Sequence, residues 1–310
     1  MKPFNRIKFL WLTTVWICAA TLKLSAQDTN TDTEKTNIFQ PGPINFYGKV
    51  VDENCNPIEG AAIQFQWLEE PTLSGWHHPA VLSDAKGLFS LTGQRGIALC
   101  VLVSKKGYYT SRRDDYSSNY SPSRGKISHA DPLSPVIFHL RKRGVGANLI
   151  TSQYTARPSF IIRIPRNGTP IKVDLMQQKA GDTGQIIVTE NEPEFKDLKN
   201  ATQWSFKMEI PKGGFIGEND EFPFEAPVDG YQSVMKFNFQ KDNPDWTTEI
   251  TTNFYIKFGN PPLYGRIQVQ TGISYGEAIF TYAINPSGSR NLEPVQAASS
   301  ADSNIFWDVQ

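Results

Sequence analysis

The sequence predicts an all-β protein made of two antiparallel β-sandwich or barrel domains. Three observations predict it. Turn residues recur at intervals that suit short strands, at Asn56-Pro57, Gly60-Ala61, Ser83-Asp84, Gly87-Leu88-Phe89 and Gly107-Tyr108. Between the turns, apolar and polar residues alternate with the period of two at which a strand presents side chains to opposite faces. Finally, 23 Gly, 21 Pro and 12% aromatic residues suit a turn-rich β protein better than a helical one.

The chain opens on Lys2, Arg6 and Lys8, followed by an apolar run from Phe9 to Leu22 that only Thr13, Thr14 and Thr21 interrupt, and then by Ser25-Ala26. This is the pattern of a secretory signal peptide over residues 1–26, cleaved near Ala26. A membrane anchor needs about 20 consecutive apolar residues, and this run is shorter and broken. Val15-Trp16-Ile17 ahead of Cys18 lacks the small residues that precede a lipid-modified cysteine. Removing 26 of the 310 residues leaves 284, enough for two ordinary domains. The mature chain is expected to be exported, periplasmic or extracellular, with no membrane span. The full chain has 31 basic and 31 acidic residues; the leader removes Lys2, Arg6, Lys8 and Lys23 and no acid, leaving 27 against 31, a balance of −4. That sign gives no electrostatic reason to expect nucleic acid as a partner.

Residues 27–42 are polar and read as a disordered leader. The first domain spans 43–143. Ile44 to Val51 is a strand, Asp52 to Glu59 a turn built on Asn54, Asn56 and Pro57, and Ala61 to Leu68 the returning strand, with Ile63, Phe65 and Trp67 on one face and Gln64 and Gln66 on the other. A second turn at Ser83 to Gly87 leads into a short strand, Leu88 to Leu91. Ala98 to Ser104 is apolar on both faces, which predicts a central strand. Arg112 to Leu133 is a long polar loop, and Val136 to Leu140 is a strand ending at Arg141-Lys142-Arg143. Residues 144–159 read as a linker.

The second domain, 160–293, is expected to be a β-sandwich of a different kind, with no internal repeat relating the halves. Ile171, Val173 and Leu175 alternate with Lys172 and Asp174; Trp204, Phe206, Met208 and Ile210 with Ser205, Lys207 and Glu209; Met235, Phe237 and Phe239 with Lys236 and Asn238. Phe254, Ile256 and Phe258 repeat the pattern, as do Ile267 and Val269 against Arg266, Gln268 and Gln270. Polar outer faces and one buried face predict an antiparallel arrangement. A helix is expected only around Glu194 to Ala201, and the 294–310 tail is expected to be disordered up to Ile305-Phe306-Trp307.

Through Gly48, Val50 to Asp52, Pro57, Gly60-Ala61, Ile63, Asp84, Gly87, Phe89 and Gly107-Tyr108, the stretch from Ile44 to Leu140 resembles the carboxypeptidase regulatory-like domain. The resemblance implies a transthyretin-like, seven-stranded β-sandwich serving as an accessory module rather than a catalyst. Its wider carbohydrate-binding-like fold group implies glycan binding by analogy alone. Cys55 stands where members of the family usually carry glycine. If the left-handed backbone persists there, a β-carbon costs about 1–2 kcal/mol, so Asn54 or Asn56 is expected to take that conformation instead. The second half resembles no named family, although Ala226-Pro227-Val228-Asp229-Gly230-Tyr231 and the segment Asn285 to Leu292 look motif-like.

Candidate chemistry is sparse. The four histidines, His77, His78, His129 and His139, lack the spacing of a zinc site, and no Gly-x-Ser-x-Gly elbow is present. No cofactor and no metal site is expected. Carboxylates cluster at Asp114-Asp115, at Glu190, Glu192 and Glu194, and at Glu218, Asp220 and Glu221. They are read as solvated loop charges rather than as calcium ligands or glycosidase acids. In the mature chain Cys55 and Cys100 permit one disulfide or stand as two buried free thiols. The aromatic surplus carries more weight: Trp76, His77, Arg112, Arg113, Tyr116 and Tyr120 place flat rings beside hydrogen-bonding groups in predicted loops, the ingredients of a contact surface. The sequence thus predicts a non-catalytic exported two-domain protein acting as an interaction or scaffolding module at the cell envelope or outside the cell, with an unknown protein or glycan as partner; the alternative is a carbohydrate-binding module recognising a glycan through loop aromatics.

Overall fold

The computed structural model describes residues 41–69, 75–111, 131–152, 159–192, 201–273 and 275–295. Among the described residues every helix or strand is a strand, and the protein is an all-β sandwich protein with two major hydrophobic cores. Among them no helix is long and apolar enough to cross a membrane.

The first core lies among β1 (Gly42–Val51), β2 (Ala62–Leu68), β3 (Trp76–His77), β4 (Ala80–Leu82), β5 (Leu88–Gly96), β6 (Ala98–Ser104), β7 (Tyr108–Thr110) and β8 (Val136–Lys142). One sheet runs β5-β1-β8-β7; the other has β2 flanked by β6 on one edge and by β3 and β4, end to end, on the other. Eight segments therefore fill seven strand positions. Ile63, Phe65 and Trp67 are buried on one face of β2, as their alternation requires. Facing them, Phe46 packs within 6.5 Å of the Phe65 ring, 6.2 Å of Phe89 and 6.3 Å of Phe138. Gly48 makes room for this cluster, because a β-carbon there would lie 2.1 Å from the Phe89 ring.

Two expectations for this sandwich are corrected. It is not wholly antiparallel: β1 and β8 run parallel, with Gly48 opposite Val136 and Val51 opposite His139. After β1 the chain crosses to the other sheet, returns as β5 to pair antiparallel with one edge of β1, and reaches the other edge only at Val136, running in the same direction as β1. Nor is β6 central. Its named pairing is with β2, and Leu102 is 41% exposed, so its outward apolar residues signal an uncovered face rather than a second buried one.

The turn after β1 is organised by Asp52, whose Oδ1 accepts the backbone N–H groups of Asn54 and Asn56, each at 2.8 Å, while Oδ2 accepts from the Asn56 amide at 3.0 Å. The left-handed residue is Cys55 itself, at φ 65°, and not Asn54 or Asn56. Both asparagines are held by their bonds to Asp52, which leaves the residue between them to make the reversal. Cys55→Gly is therefore expected to raise stability by about 1 kcal/mol, because glycine enters this region without a β-carbon clash. Urea denaturation of the two proteins checks it, and a destabilised glycine variant would count against strain at this position.

The larger core lies among β9 (Ile150–Thr151), β10 (Phe160–Arg163), β11 (Ile171–Asp174), β12 (Lys179–Gly181), β13 (Ile186–Asn191), β14 (Gln203–Glu209), β15 (Gly213–Gly217), β16 (Val234–Gln240), β17 (Glu249–Phe258), β18 (Leu263–Gly272) and β19 (Glu277–Asn285). One sheet runs β12-β11-β13-β14-β16 and the other β10-β19-β18-β17-β15, with β9 also on β19. Trp204, Phe206, Met208 and Ile210 from the first sheet and Phe254, Ile256, Phe258, Ile267 and Val269 from the second are buried in this core. The segment read as a linker contributes β9, and Ala147 within it bridges to Pro294, the first residue of the segment read as a tail. The helix expected around Glu194 to Ala201 falls, except for Ala201, outside the described residues.

Candidate functional site

Strand β8 faces two ways. Phe138 and Leu140 enter the first core, while His139 and Arg141 leave the opposite face, joined there by Tyr109, the register partner of Arg141 on β7. Residues 221–226 cover that face. His139 Nδ1 lies 3.0 Å from a Glu221 carboxylate oxygen. The Tyr109 ring sits 4.5 Å from the Phe224 ring, and the Arg141 guanidinium lies 5.3 Å over Phe224. Arg266 approaches the same ring at 5.6 Å and donates to the Pro223 carbonyl at 3.1 Å. Arg143 stands over Tyr109 at 4.9 Å. Arg266 was expected on a polar outer face of β18; it is 7% exposed because this aromatic segment covers it.

The second wall is the segment from Asn285 to Glu293, fixed by its own side chains. Asn285, Ser287, Ser289 and Asn291 each accept the backbone N–H two residues ahead, at 3.0, 3.3, 3.2 and 2.9 Å. Successive turns of this kind hold an irregular backbone rigid without sheet pairing. The segment is docked by Ala226 N–H to Arg290 O and Leu292 N–H to Phe224 O, and a small third core of Ala226, Tyr255, Tyr264 and Leu292 lies beneath. Asn291 then reaches the Val145 carbonyl at 2.8 Å, and a Glu293 oxygen accepts the Gly144 N–H at 2.6 Å.

These walls bound an open pocket of about 390 Å³ whose lining includes Arg141, Phe224, Glu225, Ser289, Arg290 and Glu293. Most of its charge is already used. Arg290 binds Glu225 at 2.6 Å and the Ala226 carbonyl at 2.7 Å. Glu293 is 5% exposed; burial first, then the nearby Glu293 carboxylate, hold the Tyr109 phenol above its ordinary value. Among the described residues no carboxylate pairs with Arg141, whose contact is the Phe224 ring. The pocket can therefore orient a polar ligand and neutralise one negative charge.

A second polar group lies inside the larger sandwich. Glu190 follows Ile186 and Val188 on the core face of β13 and is fully buried. Among the described residues one carboxyl oxygen has no hydrogen-bond partner, and the other lies 3.3 Å from the Thr271 hydroxyl. Burial, reinforced by Glu192, pushes its carboxyl up to about 7. Glu192 meets Arg166 at 2.6 Å. Glu190 and Glu192 are thus not solvated loop charges. Neither is Glu218, which is 3% exposed and accepts the Asp220 N–H at 2.9 Å, while Asp220 accepts the Tyr255 hydroxyl and Glu221 holds His139. Glu190 is placed by the alternation of β13 itself, whereas Glu218, Asp220 and Glu221 are held by Asn253, Tyr255 and His139, partners distant in sequence that local charge density does not reveal. Among the described residues no three His, Cys, Asp or Glu side chains gather to hold a metal.

The residues singled out from the sequence do not form one site. Trp76 is 42% exposed on the outer face, its ring nearly parallel to His78 at 6.3 Å. His77 leaves the other face of β3, stacks on Trp67 at 4.8 Å and meets Glu69 at 2.9 Å. Arg112, Arg113, Tyr116 and Tyr120 lie outside the described residues. Cys55 and Cys100 are free thiols, so the permitted disulfide is not formed. Cys55 sits in the turn at the β1 end, whereas Cys100 pairs with Gln66, four residues into β2 from Ala62, roughly 13 Å along the strand. The description of buried thiols also fails for Cys55, which is exposed. The pocket residues were missed, although the segments around Ala226 and Asn285 to Leu292 stood out as motif-like and supply one of its walls.

The fold and this pocket define an all-β sandwich protein with an arginine- and aromatic-lined recess between its sheets and a turn-stiffened segment. No family model matches the chain, and no curated protein matches it. Among solved structures, the chain is similar to a mutant of the shaft pilin spaA from Lactobacillus rhamnosus GG, at 9% identity over 83% of this chain and 99% of that chain, with a TM-score of 0.24. A likeness at that score carries no argument about function.

Proposed function

We propose that this chain is an exported, non-catalytic interaction or scaffolding module working at the cell envelope or outside the cell. The observation that carries the proposal is the outer face of the β2 sheet. Register places Trp76 beside Leu68, Leu82 beside Ala62, and Leu102 beside Gln64 on that one face, with Trp76, Leu82 and Leu102 at 42%, 68% and 41% exposure. Large apolar side chains exposed together on one sheet face, among the Gln64 and Gln66 amides, suit a recognition surface, and a rigid sheet presents them at little entropic cost. The signal-peptide pattern over residues 1–26 and the resemblance of residues 44–140 to an accessory domain support the same reading.

Two measurements test it. N-terminal sequencing of the protein from its native cells should begin at Gln27; an uncleaved chain in the cytosol overturns export. Trp76→Ala combined with Leu102→Gln should reduce retention of the purified protein on envelope fractions at least tenfold with an unchanged melting profile; undiminished retention overturns the role of this face. The alternative, a carbohydrate-binding module, is favoured by the flat Trp76–His78 pair beside the Gln64 and Gln66 amides. Saturable binding of a neutral polysaccharide on a glycan array, lost in Trp76→Ala, would select it.

A further inference from the structure

We infer that the recess between β8 and the Asn285–Glu293 segment binds a uronic acid residue of an acidic glycan, with Arg141 holding the sugar carboxylate. The site is separate from the Trp76 face, so either proposal can fail alone. Arg141 is fixed at both ends: its backbone pairs opposite Tyr109, and its guanidinium rests on Phe224. The cation–π contact at 5.3 Å holds the guanidinium over the ring, and the N–H edge of a guanidinium pairs a carboxylate through two parallel hydrogen bonds. The competing lining charges are committed, Arg290 to Glu225 and the Ala226 carbonyl, Glu293 to the Gly144 N–H. Among the described residues Arg141 is thus the lining cation with no carboxylate partner, and it is the group an entering anion would pair with.

The rest of the lining selects among anions. Glu225 and Glu293 repel a second negative charge, which disfavours the dianion of a phosphate monoester, and the exposed Glu225 carboxylate accepts hydrogen bonds from hydroxyls. Ser289 Oγ accepts the Asn291 N–H at 3.2 Å, leaving its own proton to donate. One negative charge surrounded by hydroxyls is the chemistry of a uronic acid. A volume of about 390 Å³ suits one sugar ring, near the lower end of small-molecule pockets, and the open rim lets neighbouring sugars continue outward.

Calorimetric titration of the mature protein with trigalacturonic acid tests the assignment, alongside its fully methyl-esterified form, neutral galactotriose and a tetrapeptide with a free acidic C-terminus. The acid should bind, and the ester and the neutral trisaccharide at least tenfold more weakly. Arg141→Gln should weaken binding of the acid at least tenfold, whereas Trp76→Ala should not change it. Should Arg141→Gln fail to fold, Ser289→Ala, at an exposed position, should weaken binding about threefold or more. The assignment is overturned if the acid does not bind, if acid and ester bind equally, if the peptide binds more tightly than the acid, or if neither pocket variant changes the affinity. Loss of binding in Trp76→Ala with the pocket variants unaffected would move the ligand to the outer face.

Discussion

Replacing Glu190 by glutamine is expected to make the protein more stable above pH 7 and to leave it close to wild type near pH 4. The native fold holds this carboxyl at about 7 against an ordinary 4.5, so the folded state keeps a proton that the unfolded chain has released. Stability then falls as pH rises from about 4.5 to about 7 and levels off beyond, since the native state binds more protons across that window. The gap amounts to about 3 kcal/mol. A glutamine does not titrate, so the variant lacks the decline. Its amide can also complete a chain of donors. Thr271 donates its one proton to the Glu277 carbonyl at 2.9 Å, leaving its oxygen free to accept from the residue at 190, a role an ionised carboxylate cannot fill. Urea denaturation at pH 4.5 and pH 8.5 on both proteins measures this, and identical pH dependence in the two would exclude Glu190 as the source.

Phe46→Ala is expected to cost about 3–5 kcal/mol. Its ring is fully buried and touches aromatic partners from both sheets, Phe65 on β2 and Phe89 and Phe138 on the strands flanking β1. Truncation leaves a hole bounded by three rigid rings, none of which can pivot into it without vacating its own site, so the cavity term adds to the lost transfer energy. Trp76→Ala, whose ring is already half in water, should fall far below this. A Phe46→Ala loss under 1 kcal/mol would show that the sandwich collapses around the gap.

The strands legible in the sequence are those with a single buried face. Ile63, Phe65 and Trp67, and Trp204 through Ile210, alternate because water covers one side and side chains the other. The missed strands break that rule for physical reasons. Strand β19 buries Ala278, Phe280 and Tyr282 on one face and has Ala283 buried on the other, so its apolar run has no clean period. Strand β13 carries a glutamate at a core position, and β15 is a glycine-rich GGFIG. The pocket was illegible for another reason. Alternation on β8 shows that His139 and Arg141 leave the first core, but nothing local shows that Phe224, more than 80 residues ahead, is what they meet. The segment at Ala226 and the one from Asn285 to Leu292 looked motif-like, the second because its Asn and Ser side chains bond within the segment itself.

The parallel pairing of β1 with β8 bears on how the protein is made. Strand β1 is synthesised early, yet its partner from Val136 onward emerges almost ninety residues later, and loops of that length close slowly. Until then one side of β1 offers unmatched amide and carbonyl groups to any passing strand. A nascent chain halted before Val136 should be the form most prone to sticking to its neighbours, and holding the polypeptide unfolded until synthesis has passed Lys142 would spare the cell that hazard.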